Sequence, residues 1–321
     1  MLVAVGSTAS AQVPVGQVAP AGASLFHCET GPESGDELQT SVAAGTSYVA
    51  PSAGVITSWS TQVGATPGQA LGMKVYRPIG AGTFLVVGQD GPRPLASGLN
   101  AFPVSIPVQA GDILGIFLPP NVQVDCGFET GLVGDQISWH EGNVSPGGSF
   151  TIVGAFPENP YPGERLNVSA SLLPPPTITS IAPAEGSIKG ASVVIAGANF
   201  ASVTGVSFGS VPATFTVNSE GQITAAAPPS KTLSAVPVTV TTAAGSATSA
   251  QTFAYKGCKV PQLKAKKLKV AKKKIRKGDC GLGKVKKLHG ATAKTGKVTK
   301  QSPKPGKILA PGSKVKITLD D

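Results

Sequence analysis

Lys266, Lys267, Lys269, Lys272, Lys273 and Lys274 fall within nine residues, and Lys284, Lys286 and Lys287 follow a short distance on. Crowded ammonium groups suit one task above others, the neutralisation of a polyanion with release of its counterions. The plainer reading is a solvated surface kept for solubility. The net charge of +10 hides how strongly the charge is sorted. Residues 1–255 carry six basic and fourteen acidic side chains, a formal −8, whereas residues 256–321 carry 21 basic and three acidic ones, a formal +18. Such segregation points to a polyanionic partner for the C-terminal part. No aromatic residue interleaves with the lysines between 258 and 321. Base stacking is therefore unsupported, and nucleic acid is a poorer match than an anionic surface polymer.

The four cysteines, Cys28, Cys126, Cys258 and Cys280, are the other reactive set, with two on each side of the charge boundary. Three pairings are possible, and a partition between separate modules favours Cys28–Cys126 and Cys258–Cys280. An even count in an exported chain reads as disulfides. Metal binding is the rival, but no Cys-x-x-Cys and no neighbouring histidine pair is present. His27, His140 and His289 are scattered. No zinc-hydrolase helix motif, nucleophile elbow or phosphate loop occurs. Asp36 and Glu37 are adjacent, so on a strand they would point to opposite faces. No catalytic residue, metal or cofactor is expected.

Trp59, Tyr76 and Trp139 could form a sugar-stacking platform, although aromatics of this kind mostly pack into cores. Asp125 and Glu129 flank Cys126 without the dense oxygen spacing of a calcium loop. Asn143-Val-Ser145 and Asn167-Val-Ser169 fit the glycosylation acceptor pattern by chance.

The elements that must position these groups are short strands. Forty glycines and 28 prolines punctuate the chain without a collagen-like period. Phe102, Val104, Ile106 and Val108 alternate with Pro103, Ser105 and Pro107, and Leu166, Val168, Ala170 and Leu172 alternate with polar or small residues. The two prolines cannot donate to a ladder, which puts their strand at an edge. About eight such runs between 25 and 173 predict an antiparallel β-sandwich, jelly-roll-like in arrangement. Ala9-Ser10-Ala11 matches a signal-peptidase site, and residues 1–24 read as the remnant of a signal peptide followed by a linker. No apolar run is long enough to span a membrane. Pro174-Pro175-Pro176 is a stiff spacer at the next boundary. Beyond residue 258, Leu268, Ala271 and Ile275 lie on one helix face, Gly278 is a stop signal, and strand-like runs follow.

Two segments resemble known families. Pro176-Thr-Ile-Thr-Ser-Ile-Ala-Pro183, Val194-Ile-Ala-Gly197-Ala-Asn-Phe200, Val206-Ser-Phe-Gly209 and Phe253-Ala-Tyr255 together resemble an IPT/TIG domain, which implies an immunoglobulin-like sandwich over 174–255. Gly197 and Asn199 suit a turn after a strand, since both tolerate positive φ. Val260-Pro-Gln-Leu263, Gly281-Leu-Gly-Lys-Val285, Gln301-Ser-Pro-Lys-Pro-Gly306 and Gly312-Ser-Lys-Val315 resemble a PASTA domain, which implies a small α+β fold over 256–321. The expected whole is a mainly β, multidomain, exported cell-surface protein without catalysis. The PASTA resemblance implies that it associates with peptidoglycan or an anionic wall polymer. The alternative is a lectin-like or carbohydrate-active protein with its site in the first sandwich.

Overall fold

The computed structural model of the chain describes residues 12–30, 32–152 and 161–320, with the side chains of 161 and 162 left aside. The cleavage pattern at Ala9–Ala11 lies outside the described residues. The chain divides into two compact units, one holding residues 12–175 with 243–245, the other 176–242 with 246–320.

In the first unit, every paired strand among the described residues runs antiparallel. A four-stranded sheet runs in the order Val13–Gln17, Val168–Leu173, Gly54–Val63, Gly98–Val108. The proline-bearing strand Gly98–Val108 is at its edge, the position where Pro103 and Pro107 are tolerated. A seven-stranded sheet is centred on Ala70–Gly80, Ile113–Leu118 and Gly35–Ser41. A third sheet orders Glu164–Leu166, Gln123–Glu129 and Leu25–Glu29. The main core packs Trp59, Tyr48, Met73, Leu114, Ile116 and Val168. A smaller cluster of Leu38, Tyr76, Phe84, Val86 and Phe150 forms a second buried layer. The short run Ile113–Leu118 is consequently buried throughout rather than alternating.

Residues 12–24 differ from the expected linker. Val13–Gln17 pairs with Val168–Leu173, and Val15 and Ala19 are buried. The reason is visible in composition only afterwards: a five-residue strand of small residues carries too little hydrophobic contrast to stand out. Tyr48 and Trp59 are fully enclosed. Their indole and phenol groups are satisfied inside, Trp59 Nε1 donating to Asp90 at 2.7 Å and the Tyr48 hydroxyl donating to the carbonyl of Leu166.

In the second unit, seven strands from Thr177–Ala182 to Gly245–Thr248 form one sheet, and Glu185–Ser187, Phe253–Lys256 and Ala235–Val236 form another. The core between 181 and 255 packs Phe200, Phe208, Phe253 and Tyr255, with Phe208 and Phe253 edge to face at 5.2 Å. Asn199 takes the expected left-handed φ of 62°. Gly197 does not. It sits inside the strand Ala191–Ala198, where a Cβ would lie 1.8 Å from the Thr177 carbonyl oxygen and 2.5 Å from the Phe200 ring. Close approach of backbone, rather than turn geometry, requires this glycine.

From 258 onward, Gly281–Lys287 pairs in parallel with Lys314–Asp320, which pairs antiparallel with Lys297–Ser302. The helix Leu268–Lys277 buries Leu268, Ala271 and Ile275, as the spacing predicts. These meet Val298, Val315, Ile317 and Leu319 in one core. Gln301 holds the adjoining turn: its side-chain amide donates to the Pro261 carbonyl at 3.0 Å and accepts from the Leu263 N–H at 2.9 Å. Among the described residues no helix is long and apolar enough to cross a membrane.

Candidate functional site

Both expected disulfides form, Cys28–Cys126 and Cys258–Cys280. The first ties the strand Leu25–Glu29 to Gln123–Glu129, and the second fastens the end of the helix to residue 258.

A cavity of about 520 Å³ opens in the first unit beside Cys28. Phe26, Leu118, Ile137 and Trp139 give it apolar surface. Glu29, Glu33, Glu37, Glu141 and Glu164 also line it. Strand pleat explains how these carboxylates gather. Asp36 and Glu37 are neighbours on Gly35–Ser41 and do face opposite ways: Asp36 turns inward to Lys74, while Glu37 lines the cavity. Cross-strand register places Trp139 opposite Glu37 and Glu164 opposite Glu129. Burial pushes the Glu37 carboxyl up to about 8, and the Glu164 carboxylate adds to the shift. Burial raises Glu164 as well, with Glu129 contributing.

The sequence reading missed this site. Its glutamates come from four separate strands and one loop, with no local spacing to betray them. Of the proposed aromatic platform, Trp59 and Tyr76 are core residues with no exposed surface, and Trp139 alone lines the cavity. Asp125 is a structural anchor: it accepts hydrogen bonds from Gly64 N–H at 2.6 Å and the Gln69 amide at 3.0 Å, and pairs with His27 at 2.6 Å. Asn167 is fully buried, donating to the carbonyls of Gln62 and Asp125, so its acceptor pattern is inaccessible to a glycosyl carrier.

The lysines stand elsewhere. Lys269, Lys272, Lys273 and Lys274 project from the helix, Lys266 and Lys267 precede it, and Lys284, Lys286 and Lys287 lie on Gly281–Lys287. All nine are exposed, and among the described residues none has an acidic partner in a salt bridge. The helix first turn holds no acidic residue, and Lys267 at its N-cap makes no side-chain cap. Lys269–Lys273 and Lys273–Lys277 are like-charge pairs one turn apart, each unfavourable by a few tenths of a kcal/mol. Lys274, Arg276 and Lys277 in the last turn are better placed, against the negative end of the helix dipole. Lys274 also borders a shallow cleft of about 580 Å³, with Lys259, Lys277, Pro261 and Pro305.

Comparison with known proteins separates the modules. The family model described as IPT/TIG domain matches residues 176–255, and that described as PASTA domain matches residues 259–321. The N-terminal region matches no family model. No curated protein matches the chain. Among solved structures, an auxiliary nutrient binding protein from Bacteroides ovatus ATCC 8483 is 24% identical over 27% of this chain and 24% of its own, with a TM-score of 0.22. SGBP-B from a complex xyloglucan utilization locus in Bacteroides uniformis is 12% identical over 76% of this chain and 52% of its own, with a TM-score of 0.24. A gamma-CGTase from alkalophilic Bacillus clarkii is 12% identical over 76% of this chain and 25% of its own, with a TM-score of 0.22. The chain thus spans at most about half of each of these structures, and likenesses this weak carry no argument about function. The chain carries a β-rich N-terminal unit followed by an IPT/TIG domain and a PASTA domain.

Proposed function

We propose that this chain is a non-catalytic, exported cell-surface protein that associates with peptidoglycan or an anionic wall polymer through residues 256–321. The observation that supports this best is the helix Leu268–Lys277. It carries six cations and no acid, has no side-chain cap at its N-terminus, and keeps every charge in solvent. Such an arrangement opposes helix stability and is relieved by a polyanion that screens the repulsion. The PASTA and IPT/TIG domains fit a surface protein, with the IPT/TIG domain acting as a spacer. Two disulfides fit an oxidising compartment.

The test is sedimentation of the full chain with purified cell walls, with and without their anionic polymer, across a salt series. Electrostatic association predicts a steep fall in the bound fraction as salt rises. Replacing Lys269, Lys272, Lys273 and Lys274 by Gln should flatten that salt dependence. Undiminished binding by this variant at low salt would refute the assignment of the site. Binding that ignores salt would replace the electrostatic mechanism with a pocket.

A further inference from the structure

The acidic residues of the first unit are divided between two tasks. Its four bases, Lys74, Arg77, Arg93 and Arg165, are each paired with an aspartate of the same unit: Asp36 at 2.5 Å, Asp112 at 2.8 Å, Asp90 at 2.7 Å and Asp135 at 2.8 Å. The remaining aspartate, Asp125, is held by His27, Gly64 and Gln69. The glutamates behave differently. Of the six described in this unit, five line the one 520 Å³ cavity, and the sixth, Glu129, lies opposite Glu164 in register. Among the described residues none of the five has a cationic partner. Glu29 takes a hydrogen bond from the Gln123 amide. Glu37 Oε2 lies 3.6 Å from Cys28 Sγ, a disulfide sulfur with no proton to give.

What would neutralise these carboxylates is constrained by their layout. A bare metal ion needs oxygens converging on one point. Among the described residues the tightest grouping joins Glu37 to Cys28 and Cys126, whose sulfurs are bonded to each other. The glutamates instead surround a space of small-molecule size, with Phe26, Trp139, Ile137 and Leu118 as apolar wall. Carboxylates with aromatic faces recognise a cation carried on an apolar body, through ion pairing and cation–π attraction.

We propose that this cavity binds a small organic cation, an amine or quaternary ammonium compound, with its charge among Glu37, Glu141 and Glu164 and its apolar body against Trp139 and Phe26. The inference is independent of the wall-binding reading, which concerns residues 256–321. The raised Glu37 carboxyl agrees with it. Ionisation there is opposed by burial and by Glu164, and an incoming positive charge removes that opposition.

The experiment uses the full chain and titration calorimetry. Choline is the probe, because its charge is permanent, and 3,3-dimethylbutan-1-ol is its uncharged isostere. Glucose serves as a neutral sugar. Choline is expected to bind at least about tenfold more tightly than the isostere, a difference of roughly 1.4 kcal/mol. Glu141→Gln and Glu164→Gln should each weaken choline several-fold, and the double variant more. Glu141 is exposed, so its replacement leaves the fold intact. Equal binding of choline and the isostere would overturn the proposal. So would tighter binding of glucose, no choline binding at millimolar concentration, or choline binding unchanged in the double variant.

Discussion

Lys74 Nζ meets Asp36 Oδ1 at 2.5 Å with both side chains wholly removed from solvent. The ammonium also donates to Asn143 Oδ1 at 2.7 Å and to the Val144 carbonyl at 2.9 Å, so all its protons are engaged. The Phe117 ring lies 4.9 Å away. Burial lowers Lys74 and raises Asp36, and the hydrogen bond between them works against both shifts. Lys74→Met alone would strand a buried carboxyl and should cost about 3–5 kcal/mol. The double replacement Lys74→Met with Asp36→Leu should recover most of that loss. Urea melts of the three proteins give the comparison. A double variant no better than the single one would show that the pair contributes more than mutual neutralisation.

Glu37 gives the stability of the first unit a definite pH slope. Its folded pKa of about 8 lies above its ordinary 4.5. The stabilisation tied to its proton is complete below about 4.5 and is lost as pH rises through 8. Glu37→Gln cannot titrate. Its stability relative to the parent should therefore grow between pH 5 and pH 8.5, at up to about 1.4 kcal/mol per pKa unit. The partly open cavity will reduce that figure. Asp135 works in the opposite direction. Burial opposes its ionisation, but hydrogen bonds from Arg165 and Thr130 outweigh this and hold it low, so its contribution is present above 3.8 and lost in acid. Denaturant melts at several pH values resolve both limbs. A flat difference between Glu37→Gln and parent would contradict the assigned environment.

The disulfides close loops of different length, 98 residues for Cys28–Cys126 and 22 for Cys258–Cys280. Loop-closure entropy gives about 5 kcal/mol for the first and about 3 for the second. Paired serine replacements should follow that order in thermal melts. Because Cys28 lines the cavity, its removal should also weaken any ligand there, whereas removal of Cys258 and Cys280 should not.

The strand Val13–Gln17 makes a truncation informative. A fragment beginning at residue 25 exposes the edge of Val168–Leu173 and uncovers the core around Val15. It should melt well below a fragment of residues 9–175. Equal stability of the two would make the strand an ornament rather than part of the unit.

Much of this was legible in the sequence because it is local. Apolar runs bounded by turn signals, two of them with period two, identified most of the longer strands, the spacing of Leu268, Ala271 and Ile275 found the helix face, and two charge regimes separated the cysteines into their observed pairs. Pro103 and Pro107 located an edge by chemistry alone. The cavity was illegible for the converse reason. Glu29, Glu37, Glu141 and Glu164 are brought together by strand pairing over long separations. Lys74 escaped notice because a lone lysine in an apolar strand signals burial only when Asp36 is known to face it. Gly197 was assigned to a turn because a glycine needed for close approach looks the same in sequence as one needed for positive φ.

The sorting of charge along the chain makes its two parts respond oppositely to a polyanion. A polyanionic layer that attracts the 21 bases of residues 256–321 repels the N-terminal unit, whose four bases are already matched by aspartates. A polyanion that takes up the proposed role of partner would therefore gain its binding from residues 256–321 and nothing from the carboxylates that line the cavity of the N-terminal unit. The attraction of one segment and the repulsion of the other both weaken as ionic strength rises, so a single variable controls how differently the two ends of the sequence respond to a polyanion.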